Sequence, residues 1–155
     1  MSDSLKNRAV VVGVGESDIG KVSNMTGLGL NAQAARRAIE DAGLKPSDID
    51  GLLTAYSFTE PYFMLGSVLA EYLGLMPKLC ASIVVGGASP AAMIGHAAAA
   101  IAAGRCRAVL ICAGGNRATG LSRDEAVTAL AAVGHPYFEA PYGVHPGALR
   151  AGREP

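Results

Sequence analysis

The chain has 155 residues, half of them hydrophobic, with 17% charged, 5% aromatic, and thirteen basic residues balancing thirteen acidic ones. That length allows one domain with a true core, because chains of this size bury roughly 70% of their unfolded surface. Neutral balance argues against a nucleic-acid binder, which needs a basic excess on one face, and the high apolar content excludes disorder.

So apolar a chain must be checked for membrane segments. Residues 88–103 are mostly alanine, carry Ser89, Pro90 and His96, and fall short of the ~20 residues a spanning helix needs. Residues 1–8 are polar and lead straight into an apolar run, so no signal peptide is expected. Cys80, Cys106 and Cys112 are an odd set without metal-ligand spacing. They point to a reduced, cytoplasmic protein with no metal centre.

In chain order, residues 9–14 (AVVVGV) read as a buried strand ending in glycine,. Residues 28–42 then place Leu28, Ala32, Ala35, Ile39 and Ala42 at helical steps, with Gly43 as the stop and Pro46 beyond it,. A second strand is predicted over 52–56, and a helix over 63–73 closed by Gly74. A β-branched third strand, 79–85, passes through Gly86-Gly87 into an alanine helix over 89–103, where Pro90 suits the first turn and Gly104 the end,. Residues 109–113 read as a fourth strand. A further helix is predicted over 123–133, then loop over 134–147, and no element over 150–155. The β-α-β-α-β-α-β order gives an α/β sheet covered by helices on both faces.

Three segments carry a resemblance. They are Val11-Val12-Gly13-Val14-Gly15-Glu16; the helix end Asp41-Ala42-Gly43-Leu44 followed by Asp48-Ile49-Asp50-Gly51; and Gly86-Gly87-Ala88-Ser89 with the alanine helix and the strand ending at Cys112. In this order they resemble the N-terminal half of the thiolase superfamily, nearest the lipid-transfer-protein (sterol-carrier-protein-like) thiolases, often called acetyl-CoA acetyltransferases. The resemblance implies a thiolase-like half with helices on both faces of a mixed sheet, as residues 1–120, followed by an incomplete loop region, 121–155. It also implies carbon–carbon bond cleavage or formation on acyl-CoA thioesters, with coenzyme A thioester as substrate and no bound cofactor. In the family a cysteine at a buried helix N-terminus carries the acyl group, where the helix dipole favours thiolate.

This chain departs from that pattern. The family nucleophile lies about seventeen positions before the glycine that ends its helix, and against Gly104 that position is Gly87. Cys80-Ala81-Ser82 looks like the motif but falls inside the predicted third strand, where Cys80 reads as a small buried hydrophobe. Ser89 is the remaining nucleophile candidate; without an adjacent base it reads first as a cap or first-turn residue. The binding candidates are Gly86, Gly87, Ala88 and Ser89, whose backbone N–H groups at the helix terminus could hold an oxyanion, and Tyr142 in the loop. Tyr137 is a second loop aromatic. His96, in mid-helix, reads as a packed or interfacial histidine, and His135-Pro136 and His145-Pro146 as loop. Asp18 breaks the dinucleotide pattern that Gly13-Val14-Gly15 begins,. Asn116 stands after Gly114-Gly115 where the family tends to carry an acid.

A full thiolase is a duplicated structure, so the ending at Pro155 reads as a truncation. Three functions compete. The first is an acyl-CoA enzyme acting on lipid or sterol side chains, with retro-aldol chemistry open to a chain that lacks the cysteine. The second is a binding subunit, either a homo-oligomer or pairing with another thiolase-fold or accessory chain. The third is a remnant without function.

Overall fold

The computed structural model describes residues 5–57 and 62–120, with isolated positions at 122, 124, 125, 128, 129, 135, 137, 138 and 141. Helix α1 (Gly27–Asp41) begins at Thr26, whose Oγ1 accepts from the Gly29 N–H at 3.0 Å, an N-cap that satisfies one of the orphan donors of the first turn. Strand β1 is Gly51–Thr54, helix α2 Leu65–Leu73, strand β2 Leu79–Ser82, helix α3 Ser89–Ala102, strand β3 Val109–Cys112 and helix α4 Arg117–Gly120. The predicted glycine stops hold. Gly43, Gly74 and Gly104 follow α1, α2 and α3 in the left-handed region, at φ 65°, 68° and 69°,.

The three strands run parallel in the order β2-β1-β3, with Thr54 opposite both Ser82 and Cys112. β1 is buried at all four positions because both faces of the sheet are covered,. Alternation along it sends Leu52 into one layer and Leu53 into the other. Leu52 packs with Ala32, Ala35 and Ile39 of α1 and with Leu69 of α2, while Leu53 packs with Met93 and Ala97 of α3. Fully burying each leucine is worth about 1.5–3 kcal/mol.

Asp50 sets the common start of the strands. Its Oδ1 accepts from the Arg107 N–H at 2.8 Å and the Ala108 N–H at 3.0 Å. Its backbone N–H donates to Ala108 O, and its carbonyl accepts from Lys78 N–H at 2.8 Å. The Ala108 N–H above all, with Arg107 and Lys78, holds this carboxyl below the usual carboxylate range,.

The N-terminal run departs from the sequence expectation. Residues 9–14 form no strand, and Val10, Val11 and Val12 are 78%, 75% and 59% exposed. A strand exists only through a ladder partner, and the described strands pair with one another instead. The run is held by other contacts. Arg8 Nη2 donates to Ala102 O at the end of α3, and Val14 N–H to Asp41 Oδ2 on α1 at 2.9 Å. Gly13 and Gly15 lie so close to α1 that a Cβ on either would sit 2.4 Å from a backbone atom of the helix. Only glycine permits that approach.

Elsewhere the strands are shorter than read from sequence, ending at Thr54, Ser82 and Cys112. Most of the helix expected over 123–133 lies outside the described residues. Its start is visible as a capping box, in which Ser122 N–H donates to Glu125 Oε2 and Glu125 N–H to Ser122 Oγ,.

Candidate functional site

The site is built at the carboxyl ends of the strands. From β1 the chain leaves to α2 on the α1 side of the sheet, and from β2 to α3 on the other side. Adjacent parallel strands whose connections part to opposite faces leave a crevice between them, the usual ligand position in such sheets. At that end of the sheet stand the β2–α3 turn and the last register row of the ladder.

The turn is locked by Ser89. Val85 N–H donates to Ser89 Oγ at 3.0 Å, and Ser89 Oγ–H donates to Gly86 O at 2.8 Å. Gly86 adopts φ +63°, which closes the loop beneath the helix,. Ser89 is buried and occupies the first helical position rather than the cap, which is Ala88. Its hydroxyl is thus engaged as donor and acceptor by the turn's own backbone, as the sequence's first-turn reading requires. Of the first three helical positions, Ser89 gives its N–H to Gly86 O and Pro90 has none to give.

At Gly87 a Cβ would meet no atom within 4 Å. The position that resembles the family's nucleophile is therefore open, and sterics do not force glycine on it. The three thiols lie elsewhere. Cys80 is exposed on the edge strand β2 rather than buried as its sequence reading had it, because no further strand pairs outside β2 among the described residues. Partial desolvation still pushes its thiol up. Cys106 is buried beside the start of β1, its Sγ 3.6 Å from Asp50 O. Cys112 is buried with Sγ 3.3 Å from both the O and Oδ1 of Asn31, and burial pushes its thiol up to about 12,. None has the lowered pKa of an activated nucleophile.

The last row of the ladder is polar where the rows before it are apolar. Ser82, Thr54 and Cys112 stand side by side, and Asn31 continues the row from α1. Thr54 Oγ1 and Ser82 Oγ are 2.8 Å apart. Asn31, buried in the helix, donates through Nδ2 to Gly27 O at 2.9 Å and Gly114 O at 3.1 Å. Asn116 Nδ2 adds a 2.7 Å bond to Met25 O, and Val22 N–H donates to Thr119 Oγ1. The turn after β3 is thereby tied to the chain entering α1. Sequence reading missed Asn31 and the Thr54–Ser82 pair. The available signal was Asn31 itself, a polar residue three positions after Leu28 on the buried stripe, which needs partners to be stable there.

Other sequence candidates do not join this site. His96 is exposed on α3. His135 stacks with its own neighbours, 4.6 Å from the Phe138 ring and 6.0 Å from that of Tyr137. Tyr137 is exposed. Tyr142 and His145 lie outside the described residues. Among the described residues no group of side chains could hold a metal ion, and no helix is long and apolar enough to cross a membrane.

The parallel sheet and the helix layers on its two faces define an α/β protein of the doubly covered kind,. No family model matches the sequence. The chain is 32% identical over 126 residues to the 17-hydroxy-3-oxo-4-pregnene-20-carboxyl-CoA lyase of Mycobacterium tuberculosis, covering 81% of this chain and 32% of the lyase. Among solved structures it is similar to the Ltp2-ChsH2(DUF35) aldolase, with TM-score 0.63 and 28% identity over 86% of this chain and 33% of that one. It is also similar to a monomeric SCP2-thiolase-like protein of Mycobacterium smegmatis, with TM-score 0.56 and 28% identity over 67% of this chain and 23% of that one. The chain belongs to the thiolase superfamily. It spans about a third of the length of the curated relative it matches.

Proposed function

We propose that this chain serves a thiolase-fold carbon–carbon lyase that shortens the side chain of an acyl-CoA thioester by retro-aldol cleavage. The observation that carries the reading is the thiol-free turn at Gly86–Ser89, with the described cysteines in β2, before β3 and in β3. Claisen-type acyl transfer needs a covalent acyl carrier at that turn, and retro-aldol cleavage does not. The likeness to a carboxyl-CoA lyase and to an aldolase supports the same choice.

In such a step a base removes the proton of a β-hydroxyl and the C–O bond becomes a carbonyl. The Cα–Cβ bond breaks, and its electron pair passes into the thioester as an enolate. Protonation at Cα then releases the shortened acyl-CoA beside a ketone or aldehyde. This chain's contribution is the fourteen-residue helix α3, whose N-terminal partial positive charge faces the developing enolate oxygen. Ser89 keeps the turn rigid while its hydroxyl takes no part. The base belongs to residues beyond the described ones.

The chain also acts within an assembly on this reading, either with a second copy or with an accessory chain. Support comes from the apolar side chains around the turn, where Val84, Val85 and Ile94 are 61%, 54% and 54% exposed, the kind of surface that a partner chain covers.

The test incubates the purified chain with a 3-hydroxyacyl-CoA and follows shortened acyl-CoA and carbonyl product by mass spectrometry. Size-exclusion chromatography with light scattering, with and without the thioester, reports the assembly. Gly87→Leu, whose Cβ meets no neighbouring atom, is expected to abolish turnover or thioester binding, and Cys80→Ala to leave both unchanged. An acyl group found covalently on any cysteine would overturn the retro-aldol reading.

A further inference from the structure

Thr54 is fully buried at the carboxyl end of the central strand, and Ser82, its register partner on the edge strand, is exposed. Their hydroxyl oxygens are 2.8 Å apart, so one proton lies between them. Which residue supplies it follows from burial. If Ser82 donated, the Thr54 proton would be left inside the sheet, because no other acceptor contacts Thr54 Oγ1 among the described residues. A buried hydroxyl without a partner bears the full desolvation penalty. With Thr54 as donor its buried hydroxyl is satisfied, and the exposed Ser82 hydroxyl keeps its own proton for another acceptor,.

That polarity leaves the Ser82 proton pointing out of the pair, on the exposed side. Accepting one hydrogen bond also polarises a hydroxyl and makes it a better donor in the next. The pair stands where the chain parts to opposite faces of the sheet. Its flanks are the exit of β1 and the entry of α2, whose Gly66 approaches within 3.0 Å of Cys80 Sγ on β2 when given a Cβ. Those flanks carry exposed apolar side chains, with Tyr56 at 38%, Phe63 at 101% and Met64 at 59%. A single oriented donor at an edge whose flanking segments carry aromatic and thioether side chains suits an apolar group bearing one oxygen better than it suits a phosphate or an adenine.

We infer that Ser82, oriented by Thr54, is a specificity residue whose hydroxyl donates to an oxygen carried on the acyl portion of a bound CoA thioester. This rests on the thioester-binding reading above. Ser82 binds and discriminates; it transfers no proton.

The test compares binding of octanoyl-CoA and 3-hydroxyoctanoyl-CoA to the full chain by isothermal titration calorimetry. The unmodified chain is expected to prefer the hydroxylated thioester by about fivefold to tenfold, the size of one hydrogen bond. Ser82→Ala should erase that preference while leaving octanoyl-CoA binding in place and the melting temperature within about 2 °C. Ser82→Thr, which keeps a hydroxyl, should restore it. Thr54→Val, which removes the orienting donor at nearly constant volume, should reduce the preference without abolishing it. Equal binding of both thioesters by the unmodified chain, or a preference that survives Ser82→Ala, overturns this assignment and leaves the thioester site standing. If neither thioester binds, the proposed function falls and the assignment falls with it.

Discussion

Two apolar runs of this chain read alike and fold differently. Residues 9–14 (AVVVGV) and β3 (Val109–Cys112, VLIC) are both short, valine-bearing and free of charge. β3 pairs along its whole length with β1 and buries Leu110 and Cys112, whereas residues 9–14 carry four valines more than half exposed and no ladder. Side-chain composition is the same kind in each. The difference is an available row of backbone donors and acceptors. Asp50 presents β1 to β3 by binding the two N–H groups that precede it, and nothing comparable presents a strand to residues 9–14. Apolar runs qualify a segment for a strand; hydrogen-bonded neighbours elect it.

The comparison can be broken at its strongest point by truncating each side. Leu53→Ala in β1 is expected to cost about 2–5 kcal/mol in urea unfolding, as for other fully buried leucines. Val11→Ala should change stability by less than about 0.5 kcal/mol, as exposed positions do. Similar losses at both sites would mean that residues 9–14 are buried after all.

Gly15→Ala asks whether the run is truly seated on α1. Its Cβ would lie 2.4 Å from Ala34 O and from Ala38 N, so a loss of about 1–3 kcal/mol by thermal melting is expected from the overpacking. An unchanged melting temperature would show the run to be detached.

Asp50→Ala addresses the other side, removing the acceptor for two backbone N–H groups at a cost of about 1–3 kcal/mol. Because the folded carboxyl titrates below its unfolded value, its contribution is complete above the unfolded pKa of about 3.9 and disappears as pH falls through the folded one. The stability gap between native chain and variant should therefore narrow on going from pH 7 to acid. A gap that is independent of pH would show that the charge plays no part.

The smallest expected effect separates two neighbouring glycines of the candidate site. Gly86→Ala, at φ +63°, should cost about 1 kcal/mol, the usual penalty of an L-residue in the left-handed region. Gly87→Ala, with open space at its Cβ, should stay within about 0.5 kcal/mol. Equal penalties would mean that position 87 is constrained by the fold and not left open for a ligand.

Much of the site's scaffold was legible in the chain. The Gly86-Gly87 junction and Pro90 in the following turn placed the start of α3 to the residue, because strand-to-helix reversal and a proline at N1 or N2 leave strong local marks,. The role of Ser89 as a first-turn residue was legible for the same reason. Its double engagement with Val85 and Gly86 was not, since it depends on the turn's closed shape. Thr54 and Ser82 lie twenty-eight residues apart, and no local pattern brings two strand ends into register. Cys80 was misread as buried because its neighbours are apolar, while edge position in the sheet leaves it exposed.

The sequence by itself determined the succession of helices and strands from α1 to β3, the glycines that end three helices and the absence of a thiol at position 87. These are local matters of periodicity, backbone conformation and residue identity. Only the tertiary structure decided which apolar runs became strands, that the last register row is polar, and in which direction the Thr54–Ser82 proton points. Each of those depends on partners distant in the chain, because a buried hydrogen-bonding group takes its state from whatever the fold places beside it.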